Sequence, residues 1–207
     1  MKILNVVFAL LLLLIGAIVF CIWFFYAHMQ PQLRIVEARF REGLAVSMGD
    51  DEKLGYINPQ GEWVIPPCFD NAFDFLNSHT VVQYKGKWGI IDKTGKYVFP
   101  PLLNNSPGFF SEDLCIVEDN DGKIGYIDKH GTWRISPQFE DGTSFVEGFA
   151  GVKINGKWGF INKKGELIIP ADYKEIKLFE NGVASVKLSN DSWVKIDKQG
   201  NIKSSNN

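Results

Sequence analysis

A repeating period of about 35 residues constrains this chain more than any other feature. Five segments open on Phe, at Phe40, Phe75, Phe110, Phe145 and Phe179, with successive spacings of 35, 35, 35 and 34. A second landmark, a glycine, recurs downstream at Gly61, Gly95, Gly131, Gly165 and Gly200, with spacings of 34, 36, 34 and 35. Two independent landmarks holding one period define a tandem array. Units of this size bury an apolar face only by stacking on their neighbours.

Each unit reads as a β-meander, most clearly the fourth. Gly148 to Ile154 is an expected first strand, and Asn155-Gly156 a two-residue hairpin turn. Asn-Gly suits type I′, which needs positive φ at both central positions. Lys157 to Ile161 follows as the second strand, and Asn162 to Gly165 as a turn closed by a left-handed glycine. Glu166 to Ile169 is the third strand, and Pro170, which cannot donate to a ladder, is its expected stop. The first turn recurs as Lys85-Gly86 and Asp121-Gly122, and the second begins with Asn58, Asp92, Asp128 and Asp197. Proline stops recur at Pro66-Pro67, Pro100-Pro101 and Pro137, and the aromatics Phe69, Phe139 and Tyr173 follow as expected closures between units. A chain with 20 Gly and 16 Phe fits this turn-rich, all-β reading.

Two second strands carry Lys87-Trp88-Gly89 and Lys157-Trp158-Gly159. With the Phe-x-Glu-Gly opening and the Ile-Pro stop, residues 34 to 203 resemble the WG-repeat (KWG repeat) family of bacterial proteins. That resemblance implies tandem β repeats and protein interaction, and no established chemistry. Leu54-Gly55 and Ile124-Gly125 depart from it by lacking the Trp, and Trp193-Val194 by lacking the Gly. The segment Arg34 to Phe40 matches the linker before each later Phe, so it suits either a closed five-bladed ring or an open solenoid-like array. The open array is slightly favoured, because arrays of this family vary in copy number.

The chain divides into residues 1–33, an N-terminal transmembrane signal-anchor with its flank, and the β-repeat domain at 34–207. Ile3 to Tyr26 carries no charge. As a helix it spans about 36 Å, enough for a hydrocarbon core of about 30 Å. Trp23 to Tyr26 cluster at its far end as interfacial aromatics do, and Lys2 marks the cytoplasmic end. The expectation is a single-pass inner- or plasma-membrane protein with its repeats outside the cytoplasm. Secretion after signal cleavage is the alternative, although Phe25-Tyr26-Ala27 is a poor cleavage site.

The net charge is -2, which argues against nucleic acid as a partner. Cys68 and Cys115 allow one disulfide at most in the domain. His79 and His130 belong to no Cys/His cluster, and Glu118 to Gly122, though it resembles part of a calcium loop, reads as a hairpin turn. No catalytic, cofactor or metal residues emerge, so the expectation is a protein without enzyme activity or cofactor. Trp63, Trp88, Trp133, Trp158 and Trp193 read as packing between units, with carbohydrate or small-ligand platforms as the alternative. The leading expectation is a non-catalytic scaffold that binds a protein through irregular segments such as 102–108 and 140–144.

Overall fold

The computed structural model describes residues 39–203. The apolar segment Ile3 to Tyr26, and with it the transmembrane and signal-anchor readings, lies outside the described residues. Within them the chain is all β, with no helix, and forms five antiparallel sheets, none closed on itself.

The first sheet joins β1 (Ala45–Met48), β2 (Leu54–Ile57) and β3 (Trp63–Phe69). The second joins β4 (Asn71–Ala72), β5 (His79–Tyr84), β6 (Lys87–Asp92) and β7 (Tyr97–Leu103). The third joins β8 (Phe110–Ser111), β9 (Leu114–Glu118), β10 (Ile124–Asp128) and β11 (Trp133–Phe139). The fourth joins β12 (Asp141–Gly142), β13 (Phe149–Ile154), β14 (Lys157–Asn162) and β15 (Leu167–Tyr173). The fifth joins β16 (Glu175–Glu180), β17 (Val183–Lys187), β18 (Trp193–Asp197) and β19 (Ile202–Lys203).

Local chemistry explains the turns. Asn155 and Gly156 have φ of 51° and 75°, as a type I′ turn requires, and Lys85-Gly86 repeats the pair. In all five second turns the Asx side chain accepts two backbone N–H bonds. Asp197 Oδ1, for example, accepts from Gln199 and Asn201 at 3.0 and 2.9 Å. The third unit corrects the expected Asp121-Gly122 hairpin. Its loop starts at Asp119, whose Oδ1 accepts from the Asp121 and Lys123 amides, and only Gly122 of the two has positive φ. This is the Asx-to-Gly turn again, one residue longer than the Asn155-Gly156 type.

The proline stops also need correction. The third strands run through them, to Phe69, Leu103, Phe139 and Tyr173, by bulging. Pairing steps from Tyr56↔Ile65 to Leu54↔Phe69, so Pro66 and Pro67 occupy a bulge where their missing donors cost nothing. That bulge explains the Trp-Gly motif. A Cβ on Gly159 would lie 2.6 Å from the Ile169 carbonyl oxygen, and one on Gly55, Gly89 or Gly125 would meet the same point at 2.5 to 2.8 Å. Glycine is required because the bulged strand lies on it. In the fifth unit Val194 replaces the Gly, and β19 pairs in regular register at Lys195↔Lys203 and Ile196↔Ile202. At Lys195 the ladder thus lacks the register shift that the fourth unit shows at Phe160↔Ile169.

Sheets also start upstream of the Phe landmarks, at Asn71, Asp141 and Glu175. These three linkers double back onto the next unit, and in the fourth unit a two-residue turn follows the Phe. Glu147 and Gly148 have φ of 52° and 88°, and Val146 bridges Phe149. The first strand of the fourth unit therefore begins at Phe149 rather than Gly148. The apolar cores straddle neighbouring sheets. Tyr56, Phe75 and Ile91 join the first pair, and Val81, Cys115 and Ile127 the second. Tyr126, Phe145 and Ile161 join the third, and Phe160, Phe179 and Ile196 the fourth. Each sheet thus supplies faces that only its neighbours bury, as stacked repeats do.

Candidate protein-interaction surface

Four seams separate the five sheets. Three of them carry one polar clasp. At the fourth seam the Glu147 carboxylate accepts the Gly182 amide at 2.9 Å and meets the Lys198 ammonium at 3.2 Å. The Gly182 amide, with Lys198 assisting, holds the Glu147 carboxyl below its ordinary value, against the opposing pull of desolvation. At the third seam Glu112 accepts the Gly148 amide at 3.0 Å and meets Lys163 at 3.2 Å. At the first, Glu42 accepts the Ser78 amide at 3.0 Å and meets Lys93 at 3.0 Å. The Glu stands on the type I′ turn after the Phe. The Lys follows the Asx of the next unit's second turn. Both positions are set by turns that the sequence specifies locally.

The second seam departs from this arrangement. Asn77 holds the Glu position, with φ of 53° against 50°, 51° and 52° at Glu42, Glu112 and Glu147. Its amide donates to the Phe110 carbonyl at 3.0 Å. Lys129, which aligns with Lys93, Lys163 and Lys198, turns instead to Asp113 of its own unit at 3.2 Å. That pair is loose, with side chains 54% and 77% exposed. A notch of about 210 Å³ remains, lined by Asn77, His79, Phe110, Glu112, Asp113 and Lys129.

An apolar shelf adjoins the notch. Phe73, Leu76 and Phe109 are 40%, 48% and 38% exposed. Phe73 stacks on Trp88 with centroids 5.9 Å apart and meets Phe109 edge-on at 5.8 Å. The shelf and the notch share His79 and Phe110, whose rings lie 4.7 Å apart. At the third seam the equivalent positions hold Gly108, Ser111 and Ser144, so that seam carries no such apolar cluster. Exposed large apolar groups that cluster in this way are the feature that calls for an explanation.

The two irregular segments expected from sequence separate here. Residues 140–144 are not a loop. Asp141–Gly142 is β12, paired with β13, and the flanking amides of Glu140 and Thr143 donate to the Lys153 and Gly151 carbonyls. Leu102 and Leu103 end β7, while 104–109 is irregular. Pro107 aligns with Ala72, whose strand pairs with β5, and having no N–H it cannot repeat that ladder. This linker runs beside the shelf and ends in Phe109.

Other singled-out residues fall elsewhere. Trp63, Trp88, Trp133 and Trp158 are half-buried, and Trp193 is 44% exposed with Lys177 over its ring at 5.4 Å. Cys115 is buried, which pushes its thiol up to about 12, and Cys68 is exposed, so the two form no disulfide. His130 lies on the second turn of the third unit, near the notch but not in it. The clasp itself escaped the sequence reading because Glu147 and Lys198 are 51 residues apart. The recurrence of Lys after the turn Asx in four units was the available signal.

Comparison with known proteins follows the same periodicity. A family model described as WG containing repeat matches residues 55–88, 88–123, 124–158 and 158–193. Among curated proteins no sequence matches this chain. Among solved structures, one titled as a eukaryotic initiation factor aligns at 12% identity and a TM-score of 0.52, covering 80% of this chain and 52% of its own. BamB from Moraxella catarrhalis aligns at 14% identity and a TM-score of 0.40, covering 76% of this chain and 55% of BamB. The computationally designed Ika4 protein aligns at 12% identity and a TM-score of 0.41, covering 59% of this chain and 87% of Ika4. The chain thus spans about half the length of the first two. The initiation-factor likeness concerns the fold alone.

Proposed function

Because the chain belongs to the WG-repeat family, we propose that it is a non-catalytic, membrane-anchored scaffold whose repeats bind a protein outside the cytoplasm. The observation that carries the binding surface is the exposed Phe73, Leu76 and Phe109 cluster at the second seam, beside the irregular linker 104–109. Rigid paired sheets on both sides hold it in place, which lowers the ordering cost of binding. The anchor rests on the uncharged run Ile3 to Tyr26 and the cytoplasmic Lys2.

The array is open in this reading. The first unit has Pro59 where later units place the clasp Lys, and the fifth has Asn181 where others place the clasp Glu. A fifth seam would therefore carry neither half of the clasp that three of the four seams use. A carbohydrate-binding reading would draw on Trp193, the most exposed tryptophan among the described residues, the other four being half-buried.

In situ cross-linking of the full-length protein, with mass spectrometry of the adducts, tests the scaffold reading. A reproducible protein adduct that disappears when 104–109 is scrambled in a folded array is the expected result. An adduct unchanged by that scrambling removes the surface from consideration.

A further inference from the structure

We propose that the notch at the second seam receives a carboxylate side chain of the bound protein, with a neighbouring apolar side chain resting on Leu76 and Phe109. This rests on the protein-binding reading above and specifies what the partner presents. The argument comes from within the molecule. Three seams show what this geometry does with a carboxylate. It takes a turn amide, at Ser78, Gly148 or Gly182, and a lysine, at Lys93, Lys163 or Lys198. The second seam keeps the turn, with positive φ at Glu112 and Asp113, and keeps Lys129. What it lacks is the glutamate, because Asn77 is one methylene shorter, carries no charge and donates to Phe110. Among the described residues no carboxylate crosses this seam to Lys129.

The acidic groups nearby leave room for this. Glu112 is engaged by Lys163 and the Gly148 amide, and Asp128 by Arg134 and the turn amides of His130 and Thr132. Asp113 alone competes, from an exposed position that a bound carboxylate displaces. Charge-assisted bonds to a lysine and an amide give such an anchor its specificity, while the shelf supplies apolar contact.

The probe is the peptide acetyl-Leu-Leu-Glu-Leu-Leu-amide, with its Gln counterpart as control, titrated into the full-length protein in detergent micelles. Amide shifts at Asp113 and binding isotherms are read together. The Glu peptide is expected to bind about tenfold more tightly than the Gln peptide. Asn77→Glu, which refills the clasp from within, is expected to abolish that preference while keeping or raising the melting temperature. Asp113→Ser, which copies Ser78, is expected to tighten the Glu peptide. Equal binding of the two peptides, or a preference that survives Asn77→Glu, overturns the inference. If scrambling 104–109 removes the cross-linked partner while Asn77→Glu leaves it untouched, the carboxylate inference fails and the scaffold reading stands.

Discussion

The Glu147 carboxylate and the Lys198 ammonium meet at 3.2 Å across the boundary between the fourth and fifth units, and Lys198 also donates to the Glu147 carbonyl at 3.1 Å. Glu42 and Lys93 repeat both contacts across the first boundary. Side chains drawn from different units therefore lock successive sheets in register, over and above the apolar faces they share.

Acid should loosen these boundaries. The Gly182 amide depresses the Glu147 carboxyl, and Lys93 depresses that of Glu42, so both lie below the ordinary value of 4.5. A depressed carboxyl contributes stability that is present above 4.5 and lost as pH falls through the folded value. The melting temperature is expected to fall as pH drops below about 4.5. The double variant Glu42→Gln, Glu147→Gln should start lower at neutral pH and lose less over that range. Thermal unfolding across pH 7 to 3 checks this.

Gly159 supports the Ile169 bulge by having no side chain. Gly159→Ala forces a Cβ to 2.6 Å from the Ile169 carbonyl, where backbone and not a flexible side chain must yield. A loss of about 1–3 kcal/mol is expected, as for other overpacked sites. An alanine at Gly156, where a Cβ would meet nothing within 4 Å, lacks this clash and carries only the strain of its positive φ. Denaturant titration of both variants separates the two effects.

Tyr126 is fully buried, and its hydroxyl donates to the Thr143 carbonyl at 2.8 Å across the third boundary. Tyr56 does the same to Phe73 across the first. Tyr126→Phe keeps the ring and removes the bond, with an expected cost of about 1 kcal/mol. Hydrogen exchange at β13 is expected to quicken in that variant and not at β18.

Thiol labelling should discriminate sharply between two positions. Cys115 is buried with its Sγ donating to the Gly108 carbonyl at 3.1 Å, whereas Cys68 is exposed. Brief treatment of native protein with a maleimide, followed by peptide mapping, is expected to mark Cys68 and leave Cys115 unmodified. Marking of both would mean that the shared core at Cys115 opens readily.

The period and the turns were legible because their chemistry is local. Asn155-Gly156 and the Asx-to-Gly turns encode their φ values in two to four residues. The proline residues misled because a missing donor ends a strand only when the ladder demands that donor, and a bulge removes the demand at Pro66-Pro67. Segment 140–144 looked like 102–108 in sequence. Pro107, and one extra residue between Pro101 and Phe110, distinguish the linker that does not pair from those that do. The clasp and the shelf were illegible because Glu147 and Lys198, or Phe73 and Phe109, come together through stacking and not through neighbouring residues. The uncharged run Ile3 to Tyr26, on which the expected anchor rests, lies outside the described residues.

The most direct test of the proposed surface places a photo-crosslinking residue at Leu76 and, separately, at the equivalent Val146 of the fourth unit, in the full-length protein in its native cells. The account predicts a discrete protein adduct from position 76, beside the second seam, and none from position 146. An adduct of equal yield from both positions, or from 146 alone, would contradict it.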